Sequence, residues 1–314
     1  MSEVRKHYFL EKYCIIAGER AKRPTDFVKE SETEPKPKTC SFCPGNENLT
    51  PAATAVYRYE GKKLIIQKDE DNKRVKDWEV RCFPNLYPAL PGHEIIADTP
   101  DHGKHPSDFA DDEITLLMQV YSDRTTQHLE NNDTEYVSLF RNYGRDAGAS
   151  LSHPHTQLMP MPFVPPMIMQ ELTAIEEADR CPYCDIVKQE SGRERVIIEN
   201  DYWIVFAPYC SRLPFEMWML PKKHVSSITS PDCLTSLGTT LRDTLLKLKT
   251  LLNNPAYNYM FFQIDNSSYH LNIRIEPKLS IAAGFEKNTD VYINTIPPED
   301  AARSLSEIDA PIKI

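Results

Sequence analysis

The chain has 314 residues, 40% hydrophobic and 26% charged, a globular balance that excludes a disordered or collagen-like polymer. With 46 acidic and 36 basic side chains its net charge is −10, which argues against a nucleic-acid partner but leaves room for a small phosphorylated ligand gripped by a few focused arginines. No stretch approaches the roughly 18–20 consecutive apolar residues of a membrane helix, and residues 1–12 mix charged with apolar side chains and show no secretory core, so no membrane partner and a cytoplasmic location are expected.

In chain order, alternation of apolar and polar residues predicts strands at 54–59, 62–67, 78–83 and 93–97, separated by Pro and Gly. Residues 111–129 open on Asp111, Asp112 and Glu113 and repeat Ile114, Leu117, Met118 and Tyr121 at helical spacing. That predicts a helix with its acids at the favoured end. Strands follow at 135–143 and 153–161, around a turn-prone stretch at 144–150. Pro160, Pro162, Pro165 and Pro166 then predict an extended connector and a domain boundary, because prolines continue neither a sheet interior nor a helix. Beyond them a similar order returns: a short helix at 167–178, strands at 195–199, 202–206 and 216–220, a long helix at 231–253, and strands at 257–264 and 270–276. A loop around Gly284, a strand at 291–295 and a terminal helix close the chain. An α+β fold of two repeats is expected, over residues 1–163 and 164–314.

Eight cysteines in a reducing compartment read as thiols or metal ligands. Two CxxC pairs stand out, and each half orders its ligand-type residues alike: Cys40, Cys43, His102 and His153 in the first, Cys181, Cys184, His224 and His270 in the second. A CxxC turn offers two thiolates from one loop and leaves two positions of a tetrahedron for distant imidazoles, so each set reads as a closed structural zinc site. A redox dithiol and unligated buried cysteines are the alternatives. Cys14, Cys82, Cys210 and Cys233 stand apart without a role.

The densest functional signal is RNYGRDAGASLSHPHTQ, residues 141–157. On an extended segment His153, His155 and Gln157 share one face. One imidazole can hold metal while the next attacks phosphorus, splitting a difficult transfer into two displacements. The Gln157 amide can donate to a non-bridging phosphoryl oxygen, and the turn Gly148-Ala149-Ser150 can offer backbone N–H groups and a hydroxyl to phosphates. Arg20 and Arg23, within ERAKRP, are the candidate phosphate clamps. His7, His93, His105 and His128 read as surface or packing residues.

The segments ERAKRPTDF (19–27), CSFCPG (40–45), FPNLYPAL (83–90), PDHGK (100–104), HPHTQ (153–157) and AGFE (283–286) resemble the galactose-1-phosphate uridylyltransferase family, in family order and across nearly the whole chain. That branch of the histidine-triad superfamily includes ADP-glucose phosphorylase relatives. The resemblance implies two fused histidine-triad-like repeats, each an antiparallel half-barrel sheet with helices packed on it. It implies His155 as the nucleophile toward a nucleoside diphosphate sugar, with Gln157 stabilising the nucleotidylated state. It also implies zinc at both Cys/His sets and phosphate contacts from Arg20 and Arg23. Nucleoside contacts would come from Asn85, Asn142 and Ser150, and a hexose-phosphate loop from Gly284, Phe285 and Glu286, often across a homodimer interface. Hexose 1-phosphate is the expected acceptor, with inorganic phosphate as the alternative, in a phosphorylase of ADP-glucose or a dinucleoside polyphosphate, and a non-catalytic zinc-stabilised nucleotide-binding module as the reading from another class. Two positions depart from the pattern, Leu86 after Asn85 and Thr156 where a glycine is usual. In the second half His270, Asn272 and Arg274 replace the alternating imidazoles, so one active centre per chain is expected.

Overall fold

The structure, a computed structural model, describes residues 2–20, 39–70, 72–230, 233–234 and 236–309. In order the elements are β1 (Glu3–Lys6), β2 (Tyr13–Ile16), β3 (Ala55–Glu60), β4 (Lys63–Gln67), β5 (Val80–Pro84), β6 (Glu94–Ala97), α1 (Asp111–Leu129), β7 (Tyr136–Tyr143) and β8 (His155–Met161). Then come α2 (Pro166–Glu176), α3 (Pro182–Glu190), β9 (Val196–Glu199), β10 (Trp203–Phe206), β11 (Met217–Pro221), α4 (Leu237–Leu252), β12 (Tyr257–Phe262), β13 (Asn272–Pro277), α5 (Gly284–Thr289), β14 (Tyr292–Asn294) and α6 (Pro298–Ser306). No helix among the described residues is long and apolar enough to cross a membrane.

Eleven strands form one antiparallel sheet in the order β4-β3-β5-β6-β8-β7-β12-β13-β11-β10-β9. Outward from its centre the two sides read β7, β8, β6, β5, β3 and β12, β13, β11, β10, β9, so the repeats meet edge to edge, with Tyr257 opposite Tyr143 and Phe261 opposite Leu139. The two half-sheets are thereby one continuous sheet. One face carries the main core, where Leu139, Leu158, Ile273 and Ile275 pack under Leu117, Tyr121, Leu241 and Leu245 of α1 and α4. The acids expected at the start of α1 are in place, and Glu113 accepts the Ala110 N–H at 2.6 Å. α4 ends where Asn253 turns left-handed, at φ 53°.

On the opposite face the repeats differ. Over the second one, α2, α3 and the loop after β1 cover the sheet, burying Ile168, Leu172, Tyr183, Phe206 and Trp218. The first keeps only a small cluster of Val56, Trp78, Phe83, Ile95 and Ala97.

Three sequence expectations are corrected. Pro160 lies inside β8, not in a connector; the ladder to β6 ends at the Glu94–Leu158 pair, so Pro160 stands past the last rung, where its missing N–H costs no bond to β6. Pro166 opens α2 in the first-turn position, where no N–H is needed. The Gly284 segment is the start of α5. Missed altogether were β1 and β2, which join β14 in a separate sheet, β2 pairing parallel to β14, and α3, which starts inside the second CxxC.

Two predictions follow from packing. α1 and α4, one helix from each repeat, touch at Gly238, where an added Cβ would lie 2.9 Å from the Ile114 carbonyl oxygen. Gly238→Ala should lower stability in urea unfolding by about 1–2 kcal/mol despite alanine's better helix propensity; a stabilised variant would contradict this close approach. The loop after β1 is held by His7, whose Nδ1 accepts the N–H of Leu10 at 3.2 Å and of Phe9 at 3.4 Å while the ring packs 5.5 Å from that of Trp218. Burial, with the charge of Arg274 next, holds His7 down at about 3 against an ordinary 6.5. The unfolded chain therefore takes up this proton near pH 6.5 and the folded one only near 3. Its contribution is complete above about pH 6.5 and drains away as pH falls toward 3, by roughly 2–4 kcal/mol. In His7→Asn, whose Oδ1 can replace Nδ1 as acceptor, that fall should be shallower; an identical pH slope would refute the role.

Candidate active site and metal centres

Each CxxC turn brings its sulfurs to two imidazoles from distant strand ends. A tetrahedral ion with sulfur at about 2.3 Å and nitrogen at about 2.0 Å sets S···N edges of roughly 3.5 Å. Cys43 Sγ lies 3.3 Å from His102 Nδ1 and 3.6 Å from His153 Nδ1. Cys184 Sγ lies 3.3 Å from His224 Nδ1 and 3.5 Å from His270 Nδ1, and Cys181 Sγ 3.8 Å from His270 Nδ1. Within each set all ligand atoms fall within 4.8 Å of one another. The outer nitrogens are spoken for: Nε2 of His153 donates to the Thr99 carbonyl, of His270 to the Pro221 carbonyl and of His224 to the Ser267 carbonyl, each at 2.9 Å, and that of His102 lies 3.0 Å from Ser152 Oγ. The three carbonyl bonds put the proton on Nε2 and leave the Nδ1 lone pairs of His153, His270 and His224 facing the sulfurs, the arrangement metal-ligating histidines need. Both sets could hold a metal ion.

His155 opens β8 two residues after His153 on the same face, and it is 6% exposed. Its Nδ1 donates to the His153 carbonyl at 2.8 Å, which puts the proton on that nitrogen and the lone pair on Nε2. Nε2 makes no hydrogen bond among the described residues. Burial first, opposed by that carbonyl bond and reinforced by Arg141, holds His155 at about 4, so the ring is neutral near pH 7. The strand behind it is pinned carbonyl by carbonyl, since the Asp98 N–H donates to Pro154 at 3.1 Å and Arg141 Nη1 to His155 at 3.2 Å. Arg141 pairs with Asp98 on the helix-covered face, both buried. There Thr156, in place of a glycine, joins the hydroxyls of Tyr121 and Tyr259. Sequence patterning missed Arg141 because a cation alternating in a strand reads as a solvent-facing residue.

Gln157 shares the face of His155, and its Oε1 lies 3.0 Å from His93 Nε2. His93, read from sequence as a packing residue, thus belongs to the site. Phe42, inside the first CxxC, stands edge-on to His155 with ring centroids 5.5 Å apart.

The remaining candidates divide. Asn142 stands two residues past the Phe140–Gln157 rung on this face, and its Oδ1 accepts Asn258 Nδ2 at 2.8 Å. Asn85 donates to the His93 ring and accepts the Tyr87 N–H at 3.0 Å, so its amide is engaged within its own loop. Ser150 is exposed beside the turn. The N–H groups of Gly148 and Ala149, expected to face phosphates, instead close the turn onto the carbonyls of Arg145 and Gly144, because the left-handed Gly148 folds the chain back on itself. Gly144 has φ 79°, and an added Cβ would lie 2.8 Å from that of Ala256, so only glycine fits. Gly284, Phe285 and Glu286 form the first turn of α5, where Glu286 accepts the Ala283 N–H at 2.9 Å; α5 leads into β14 of the three-stranded sheet, apart from β8. Arg20 ends a 3-10 turn at Gly18–Arg20, and Arg23 lies outside the described residues.

At the position equivalent to His155 the second repeat has Asn272, whose Nδ2 donates to the His270 carbonyl at 3.2 Å just as the imidazole does in the first. Where Gln157 stands it has Arg274, bonded to Glu171 at 2.6 Å, with both side chains buried among Tyr183, Tyr269, Phe262 and Trp218. That centre is filled, and it offers no nucleophile.

The family description "Galactose-1-phosphate uridyl transferase, N-terminal domain" matches residues 1–165, and "Domain of unknown function (DUF4921)" matches residues 107–308. ADP-glucose phosphorylase of Arabidopsis thaliana is 32% identical over 343 residues, covering 98% of this chain and 93% of that protein. The galactose-1-phosphate uridylyltransferase of Thermotoga maritima is 28% identical over 331 residues, covering 99% and 100%. The crystal structure of an ADP-glucose phosphorylase from Arabidopsis thaliana with bound ADP-glucose matches with a TM-score of 0.81 at 28% identity, over 99% of this chain and 100% of that one. A strand histidine with an unbonded Nε2, two Cys/His sets and these likenesses over the full length place the chain in the galactose-1-phosphate uridylyltransferase family.

Proposed function

We propose that the chain is a nucleotidyltransferase moving a nucleoside monophosphate between a nucleoside diphosphate hexose and a hexose 1-phosphate, through a covalent nucleotidyl-His155. One observation carries this reading: the bond from His155 Nδ1 to the His153 carbonyl leaves the Nε2 lone pair without a hydrogen bond among the described residues, on the face that Gln157 shares. In the first step Nε2 attacks the α-phosphorus, the bond to the bridging oxygen breaks, and hexose 1-phosphate leaves with the electron pair. The imidazole becomes positive, and the His153 carbonyl stabilises its Nδ1–H. In the second step a phosphate oxygen of the acceptor attacks the same phosphorus, and the N–P electron pair returns to Nε2. The Gln157 amide donates to a non-bridging oxygen in both.

Zinc suits both Cys/His sets, since soft thiolates with imidazole in a closed tetrahedron favour it over harder divalent ions. Bound at the first set it would hold His153, and hence the carbonyl that orients His155, in place. In this reading Arg20 and Arg23 clamp the nucleotide phosphates, Asn142 and Ser150 edge the nucleoside, and the 284–286 turn serves the hexose phosphate of a partner protomer in a cytoplasmic homodimer. A second reading gives inorganic phosphate the acceptor role with ADP-glucose as donor, supported by the 32% identity to a protein of that name.

With UDP-glucose or ADP-glucose as donor, exchange of labelled glucose 1-phosphate into the donor pool should proceed without any second acceptor, and galactose 1-phosphate and inorganic phosphate then separate the two readings. His155→Ala should abolish exchange, and Gln157→Ala should slow it about a hundredfold; undiminished exchange in His155→Ala would refute the mechanism. Metal analysis should find about two zinc ions per chain, and Cys43→Ser and Cys184→Ser should each lose one. A metal-free, fully folded protein would overturn the zinc assignment.

A further inference from the structure

The orientation of Gln157 is not left to the substrate. His93 stands one residue before β6 and is 5% exposed. The backbone N–H of Ala89 points at its Nδ1, 3.3 Å away, while Asn85 Nδ2 lies against the ring, 3.3 Å from Nδ1 and 3.4 Å from Nε2, and does not choose between them. A backbone N–H can only donate, so Nδ1 must be the lone-pair nitrogen and Nε2 must carry the proton. That proton faces Gln157 Oε1 at 3.0 Å. A side-chain amide that presents its oxygen to one neighbour turns its NH2 away from it. The loop that starts this chain of bonds is itself fixed, because Asn85 N–H donates to the His93 carbonyl at 2.8 Å and His93 N–H to the Leu90 carbonyl at 3.1 Å. Burial lowers the proton affinity of His93, which keeps the ring in the neutral form these bonds require.

We propose that His93 is a positioning residue: by relaying the Ala89 N–H to Gln157 Oε1 it decides that Gln157 offers its NH2, and not its carbonyl oxygen, to the phosphoryl group on His155. This rests on the nucleotidyl-transfer reading of the same site. Without the relay the amide is free to turn, and an arriving phosphate must reorient it at the moment of reaction; with it, the donor is set beforehand. The role differs from simple packing, because packing has no reason to act through Gln157 alone.

The test uses the full-length, metal-loaded protein with UDP-glucose and ADP-glucose as probes, and reads the single-turnover rate of His155 labelling together with kcat and KM. His93→Leu should slow labelling about tenfold, the worth of one oriented hydrogen bond, with KM for the donor nearly unchanged. His93→Gln, whose amide NH2 can reach the Nε2 position and donate to Gln157, should regain most of the rate. In a Gln157→Ala background His93→Leu should cost nothing further. Should His93→Leu not fold, His93→Asn carries the test, since its Oδ1 can still accept the Ala89 N–H but its side chain stops short of Gln157; it too should be slow. Wild-type rates in the folded variants, no recovery in His93→Gln, or losses that multiply with that of Gln157→Ala would overturn the assignment while leaving nucleotidyl transfer intact. Absence of labelling in the unmodified protein would overturn both.

Discussion

The bond from His155 Nδ1 to the carbonyl of His153 is the constraint on which the rest of the site depends. It joins two functions in one strand. The ring of His153 faces the cysteines of the first set and donates its Nε2–H to Thr99, so its backbone has little freedom, and its carbonyl in turn fixes which nitrogen of His155 bears the proton. Three successive carbonyls, of His153, Pro154 and His155, are held by three different partners. His155 is oriented from behind by backbone and by the buried Arg141–Asp98 pair, which leaves its Nε2 unbonded among the described residues on the face that Gln157 shares. Breaking that pair by truncating one partner would leave a buried charge, a cost of about 3–5 kcal/mol, which ties the site's geometry to the stability of the sheet.

The same scaffold appears twice with opposite outcomes. Both repeats set a Cys/His cluster beside an alternating strand, and both place a donor against the preceding histidine carbonyl, an imidazole in one and the amide of Asn272 in the other. What differs is the cover. α2, α3 and the His7 loop close the second face over a buried Arg274–Glu171 pair, whereas the first face keeps His155, Gln157 and Asn142 under a thin cluster. The continuous sheet through β7 and β12 lets one repeat support the other: Asn258 of the second half bonds both Asn142 and the Ala147 carbonyl of the first.

Much of this was legible in the sequence, for physical reasons that vary by element. The helix at 111–129 carried three signals at once, acids at its start, apolar spacing and length, and its observed bounds agree. The two Cys/His sets were legible because few functions need that residue order twice. The β1–β2 hairpin was not, since its strands have four residues each and its parallel neighbour β14 lies far along the chain, beyond the reach of local pattern. Prolines misled where the sheet ladder had already ended beside Pro160. His93 and Arg141 escaped notice because their meaning lies in partners from other strands, and the turn at 148–150 consumed the N–H groups that its glycine content suggested were free. The covering of the second face, too, is a tertiary fact with no local signature.

The most direct measurement is the intact mass of the protein after brief exposure to UDP-glucose and to ADP-glucose, followed by mapping of the modified peptide. A gain of one nucleoside monophosphate per chain, labile to acid as a phosphoramidate is and confined to His155, is the result this account predicts. An unmodified mass with both donors, or an adduct that survives in His155→Ala, would contradict it.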